Sequence, residues 1–173
     1  MNQETFWELI EQSKRQADSP QCAQLQSLLS ALSTQHVLRF HEMFECLVVA
    51  ADTGELYGAG SLVNGGPLSD DTFLYFRNWL IAQGRYTFEQ ALSYPDSLGA
   101  LPEVGEWQAW DEEVAAAAGA VYEQLTGTSV YDATPDFECH AEPVAFNWQD
   151  YTGSVLSVRF PVLWSRYGKR YAK

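Results

Sequence analysis

Residues 69–84 read SDDTFLYFRNWLIAQG, and their pattern sets the fold class. Ser69 is a natural N-cap, and Asp70 and Asp71 fall in the first turn, where a carboxylate offsets the positive end of the helix dipole by about 0.3 to 1 kcal/mol. Phe73, Leu74, Phe76, Trp79, Leu80 and Ile81 then occupy nearly every side of the cylinder, as expected of a helix buried on most faces. Gly84 can take the left-handed conformation that ends it. The spacing predicts a central, mostly buried helix here, in a mainly α chain.

Upstream, ELYGAGSLVNGG (55–66) reads as a further short helix, in which Gly58 and Gly60 lower the intrinsic propensity but let another helix approach closely. Residues 64–67 then form a loop. Ser33 can cap a helix carrying Val37, Phe40, Phe44, Leu47, Val48 and Ala51 as an apolar stripe, broken at 52–54. Before it, Ser19 and Pro20 offer an N-cap and a first helical proline to a segment where Cys22, Leu25, Leu28, Leu29 and Leu32 recur at helical spacing. Thr5 and Glu8 have capping-box spacing for a first helix from about Glu4 to Ala17 that buries Phe6, Leu9 and Ile10.

Downstream, Thr87 and Gln90 repeat the capping-box spacing, predicting a short helix over 87–93 closed by Pro95. PDSLGALPEVG follows as a loop. DEEVAAAAGAVYEQLTG begins with acids, runs through alanines and stops at Gly127, as a strong helix does. Beyond Thr128 the Pro, Asp and Gly content predicts irregular chain wrapping the helices. SVLSVRF is allowed there as a short strand or hairpin, and FPVLWSRYGKRY docks its aromatics as a terminal turn or helix. The whole, 1–173, is expected to be a single-domain helical bundle of about six or seven helices with an irregular carboxy-terminal segment.

Composition agrees. Hydrophobic residues are 46% and aromatics 14% of 173 residues, too much apolar material for a disordered chain. Folding at that length buries roughly 70% of the unfolded surface, enough for one core without staples. The amino terminus has no basic region followed by an apolar one, and no stretch nears a membrane span, so neither ordinary export nor membrane insertion is expected. Cys22, Cys46 and Cys139 are odd in number and widely spaced, unlike a disulfide framework, which points to a reducing cytoplasm.

The net charge of −13 is unevenly distributed. No Lys or Arg lies between Tyr86 and Val158, a stretch holding thirteen carboxylates, among them Glu103, Glu106, Asp111, Glu112, Glu113 and Glu123. Such a surface repels nucleic-acid phosphates and steers a cationic partner toward itself. Many soluble domains are acidic for solubility alone. The basic residues Arg159, Arg166, Lys169, Arg170 and Lys173 are expected to clamp nearby carboxylates or stay solvated.

The chemistry-bearing residues do not form a recognisable catalytic set. Asp70, Asp71 and Arg77 could serve acid–base work or hold a small anion, but adjacent helical residues point about 100° apart and cannot converge on one substrate. Capping and dipole compensation account for both aspartates. Arg77 can run its stem over the core and pair with a carboxylate from another helix. His36 and His41 stand about 140° apart on a helix, and Cys139 beside His140 gives no second short ligand pair for them or Cys46, so no metal site is expected. The glycines of GELYGAGSLVNGG lack the Lys of a P-loop and the strand of a dinucleotide fingerprint. No cofactor is implied.

FLYFRNWLIAQG, with SDD before it and YPDSLGAL after it, resembles the bacterial domain of unknown function 4240 family. FWELIEQ, ELYGAGSLVNGG, EEVAAAAGAVYEQLTG and FPVLWSRYG look like further elements of that family. At Tyr57, Gly58 and Gly60 the sequence departs from the family's more usual tryptophan and alanines. The resemblance implies a mostly helical single domain and no assigned reaction. The first expectation for function is a non-enzymatic protein-binding module, an immunity or antitoxin-like protein being one form, whose acidic surface (Glu103, Glu106, Asp111, Glu112, Glu113) occupies a basic protein partner. The alternative is an enzyme or small-ligand binder with a pocket near the head of the 69–84 helix, at Asp70, Asp71 and Arg77. A DNA-contacting role is disfavoured by the charge.

Overall fold

The structure, a computed structural model, describes residues 1–15, 19–106, 108–135, 137–139 and 146–171. Among these there are ten α-helices: α1 (Gln3–Ser13), α2 (Gln21–Ser30), α3 (Thr34–Ala50), α4 (Gly54–Asn64), α5 (Asp70–Ala82), α6 (Arg85–Ser93), α7 (Glu113–Thr126), α8 (Val130–Ala133), α9 (Gly153–Arg159) and α10 (Pro161–Tyr171). Two 3-10 segments, Pro95–Ala100 and Trp148–Asp150, complete the order, and no strand occurs among the described residues. The fold is mainly α, as expected, with more helices than six or seven. No helix among the described residues is long and apolar enough to cross a membrane.

The quoted helix starts as its sequence requires. The Ser69 hydroxyl accepts from the Thr72 amide at 3.2 Å and the Thr72 hydroxyl accepts from the Ser69 amide at 2.7 Å, a reciprocal capping box. Gly84 has φ 95°, and this lets α6 begin at Arg85 directly after the turn. Helix α6 therefore starts two residues before Thr87 and uses no Thr87 cap. Likewise α1 is capped by Asn2, whose side chain accepts from the Thr5 amide at 2.8 Å, and not by Thr5. It ends at Ser13; the expected end at Ala17 lies outside the described residues.

The most buried helix is α4 rather than α5. Ten of its eleven residues are buried, and Glu55 is the exception. On α5, Phe73, Phe76, Leu80 and Ile81 face inward while Leu74, Tyr75 and Trp79 are only partly covered. Gly58 and Gly60 explain the position of α4. A Cβ on Gly60 would lie 2.8 Å from the Phe76 ring of α5, and one on Gly58 would lie 2.7 Å from Tyr151, 2.9 Å from Phe160 and 3.0 Å from Leu156. Small residues here are the physical reason that α5 and α9 can both seat against α4.

That contact also corrects the reading of SVLSVRF. Leu156 and Phe160, four residues apart, are buried against α4, while Val155 and Val158 face solvent, which is helical and not alternating periodicity. The β-branched content suggested a strand; packing selected the helix. PDSLGA, expected as loop, is the first 3-10 segment. It is tied to α10 by Asp96, a buried carboxylate accepting from the Val162 and Leu163 amides at 3.0 and 2.8 Å. Arg166 donates to the carbonyls of Gly99, at 2.7 Å, and Leu101. One cluster of buried side chains runs from Phe6 on α1 to Tyr167 on α10.

Candidate functional site

The segment between the first 3-10 turn and α7 carries no helix of its own, yet it is pinned on both sides of Trp110. Asn64, at the last position of α4, donates from its side-chain nitrogen to the Ala109 carbonyl at 3.2 Å and accepts from the Ala109 amide at 3.1 Å. Two residues later the Asp111 amide donates to the Tyr75 carbonyl of α5 at 3.0 Å. Trp110 is thereby held out from the body, 51% exposed, with its ring 5.8 Å from that of Tyr75 at 47°. A cleft of about 300 Å3 opens there, lined by Asn64, Thr72, Tyr75 and Trp110. Its polar walls are engaged with the scaffold: Asn64 with Ala109 and Gly60, Thr72 with Ser69. What the cleft offers a visitor is aromatic surface.

Carboxylates stand at its rim. Asp71 precedes Tyr75 by one helical turn and so shares its face. The charge of Glu112 does most to push the Tyr75 hydroxyl's pKa upward, with burial and then Asp71 adding to the rise, so both carboxylates stand within electrostatic reach of that hydroxyl. Asp111 turns inward. It accepts from the Val114 amide at 2.9 Å at the head of α7, and burial raises its carboxyl pKa against the lowering effect of that bond.

The other acidic candidates lie further off. Asp70 is exposed and acts electrostatically on the buried Tyr57 hydroxyl. Glu113 turns toward α2, where, after burial, its charge is the main cause raising the Cys22 thiol. Glu103 is paired with Arg170 at 2.6 Å. Glu106 lies over Gly65, since a Cβ placed there would meet the Glu106 stem at 3.2 Å and Arg170 at 3.3 Å. Among the described residues no cation is within ion-pair distance of Asp70, Asp71, Asp111, Glu112 or Glu113.

The tail's basic residues are mostly occupied elsewhere. Arg159 pairs with Glu55 at 3.0 Å, Arg166 serves carbonyls, and Arg170 serves Glu103 and the Val104 carbonyl. Lys173 lies outside the described residues.

Arg77 does not join Asp70 and Asp71. Its guanidinium reaches α3, donating to the Val48 carbonyl at 3.1 Å and pairing with Asp52 at 3.2 Å, and it lies 4.7 Å over the Phe73 ring. The three residues expected at the head of α5 are therefore split between two regions.

The thiol and imidazole candidates are equally dispersed. His36 is bonded to its cap residue Ser33 at 2.9 Å, and the buried His41 packs edge-on against Tyr131 at 5.3 Å. Cys46 has Cys139 as a neighbour, and burial first, then the influence of Cys139, pushes the Cys46 thiol up to about 12. His140 lies outside the described residues. No group of three or more metal-ligating side chains occurs among those described. A larger hollow of about 550 Å3 opens beside Met43 and Leu47, but its charged residues Arg39 and Glu42 are bound to each other at 2.6 Å.

Sequence reading missed Asn64, Tyr75 and Trp110. The signal for two of them was present: Tyr75 follows Asp71 by four residues, and Trp110 directly precedes Asp111, Glu112 and Glu113. An aromatic next to three carboxylates has no reason to be buried. Asn64 had no such signal, because its partner is 45 residues away.

Residues 1–124 match the model of a family described as a protein of unknown function (DUF4240). The matched span contains Asn64, Tyr75, Trp110 and Glu112, whereas FPVLWSRYG lies beyond it. No curated protein and no solved structure matches the chain.

Proposed function

The chain belongs to the DUF4240 family, and we propose that it is a non-enzymatic protein-binding module whose acidic face receives a basic protein partner, in the manner of an immunity or antitoxin-like protein. The observation that carries this reading is the rim of Asp71 and Glu112 around the exposed Trp110. Among the described residues these carboxylates have no cation within ion-pair distance, while the tail's arginines bind elsewhere. Uncompensated negative charge beside a fixed aromatic is the composition of an interface that steers a positive partner and then anchors it. A cytoplasmic setting suits the unpaired thiols of Cys22, Cys46 and Cys139.

The test is association with the basic product of a neighbouring gene, followed over a salt series. Affinity should fall steeply with ionic strength, and Asp71→Lys with Glu112→Lys should abolish binding without lowering the melting temperature. Association indifferent to both salt and charge reversal would remove the basis of the proposal.

The cleft itself favours a second reading, a small-ligand binder at the head of α5. At about 300 Å3 it is at the small end of ligand pockets. Its lining, however, presents no nucleophile with a base, and the Asn64 amide and the Thr72 hydroxyl are already bonded. Binding of an uncharged metabolite with salt-independent affinity would favour this alternative.

A further inference from the structure

We propose that the cleft between Tyr75 and Trp110 is the seat of one arginine side chain of the basic partner. This rests on the acidic-face reading and specifies what that face grips. Three features of the cleft point to a guanidinium. Its two aromatic rings, 5.8 Å apart and inclined at 47°, form an open angle whose faces attract a cation. Its rim holds carboxylates on both elements, Asp71 on α5 and Glu112 before α7, each close enough for its charge to act on Tyr75. Its floor atoms are engaged, so a ligand must bind by ring stacking and by reaching the rim, which a planar five-donor fork does better than a compact ammonium.

Rigidity supports the same conclusion. Bonds from Asn64 and to Tyr75 hold the backbone on either side of Trp110, so the indole is presented without a loop to be ordered on binding. A solvent-facing Trp anchored so firmly is hard to explain by core packing, since half of it never enters the core.

The experiment is a heteronuclear NMR titration of the full chain with acetyl-Gly-Arg-Gly-amide, with the lysine and citrulline tripeptides as comparators. The Trp110 indole N–H resonance is identified by its absence in Trp110→Phe. It should move with the arginine peptide, and the citrulline peptide, equal in shape but uncharged, should bind about tenfold more weakly. The lysine peptide should also be weaker than arginine, and Glu112→Gln should weaken arginine binding with the fold intact. An unmoved Trp110 resonance, or equal response to citrulline or to lysine, overturns the assignment.

The neighbouring gene's basic product separates this proposal from the broader one. If Trp110→Ala, still folded, bound that partner with undiminished and salt-dependent affinity, the arginine seat would fall and the acidic face would stand. If the arginine peptide moved Trp110 while the partner's association ignored salt, the seat would stand and the face would fall.

Discussion

Asn64 and Ala109 exchange two hydrogen bonds, at 3.1 and 3.2 Å, so that one side-chain amide serves as a backbone strand would for a residue 45 positions away. Ala109 is fully buried, and water cannot replace either bond. Asn64→Ala leaves an amide and a carbonyl unsatisfied, and about 2 to 4 kcal/mol of stability should be lost. Asn64→Asp keeps the acceptor but sets a carboxylate against the Ala109 carbonyl, so it should also destabilise. Urea unfolding gives the size of the effect, and relaxation of the Trp110 indole gives its location. A rigid indole in Asn64→Ala would show that some other contact holds the cleft.

Arg77 belongs to the fold. Its side chain is 11% exposed, whereas its partner Asp52 is 36% exposed and keeps much of its solvation. Breaking a buried pair costs 3 to 5 kcal/mol, and screening at Asp52 lowers this, so Arg77→Met should cost about 2 kcal/mol. Asp70→Asn should change stability by no more than about 0.5 kcal/mol, because its contribution is a dipole interaction in an exposed first turn. Thermal unfolding of the two variants separates them. A stable Arg77→Met that had lost ligand binding would return Arg77 to the site.

These two regions show what could be read from the sequence. Local signals identified α5 well, because Ser69 and Thr72 need only each other and the aromatic spacing repeats within the helix. They also gave the reason for Gly58 and Gly60, namely close approach, without naming what approaches. The failures share a cause. Residues 154–160 look strand-like until Leu156 and Phe160 meet α4, and the cleft exists only once Asn64 reaches Ala109. Burial against a distant element decided both, and no pattern within a few residues encodes that.

Two glycines in helices should respond to alanine with opposite signs. At Gly60 a Cβ would lie 2.8 to 3.0 Å from three atoms of the Phe76 ring, which is fully buried and has no room to yield. Gly60→Ala should cost about 1 to 3 kcal/mol through overpacking. At Gly119 of α7 the added carbon meets only Val130, at an ordinary 3.5 Å, and helix propensity should yield a gain of about 0.5 to 1 kcal/mol. Denaturant midpoints measured side by side test the pair: a gain at Gly60 would contradict the close α4–α5 packing, and a loss at Gly119 would contradict the open space beside Val130.

His41 should make stability depend on pH. Its ring is buried, and burial lowers its pKa more than Glu45 and Glu42 raise it. The unfolded chain therefore binds a proton near the ordinary value of 6.5 that the folded chain binds only at lower pH. The contribution is complete above that value and declines as the pH falls toward the folded pKa. His41→Gln should flatten this part of the stability profile. An unchanged acid slope in the variant would show that His41 is already solvated or charged in the fold.

Asp96 decides whether the carboxy-terminal helix is part of the structure or an appendage. It is 1% exposed, without a cation in hydrogen-bond reach among the described residues, and both oxygens accept from the first free amides of α10, Val162 and Leu163. Charge-assisted bonds of this kind are worth about 1.5 to 3 kcal/mol each, so Asp96→Ala should lose at least about 3 kcal/mol. Asp96→Asn, which can accept from only one amide while presenting a donor to the other, should fall between. Hydrogen exchange locates the effect: Val162 and Leu163 should lose protection before the amides of α3. The same geometry bears on the family match, which stops at residue 124 although Leu163 and Tyr167 of α10 are buried within the core cluster. A fragment ending at Thr126 would expose Leu98 and much of α4 to water, and it should not fold alone. A cooperative unfolding transition in that fragment would show that α10 is dispensable and that the core closes without it.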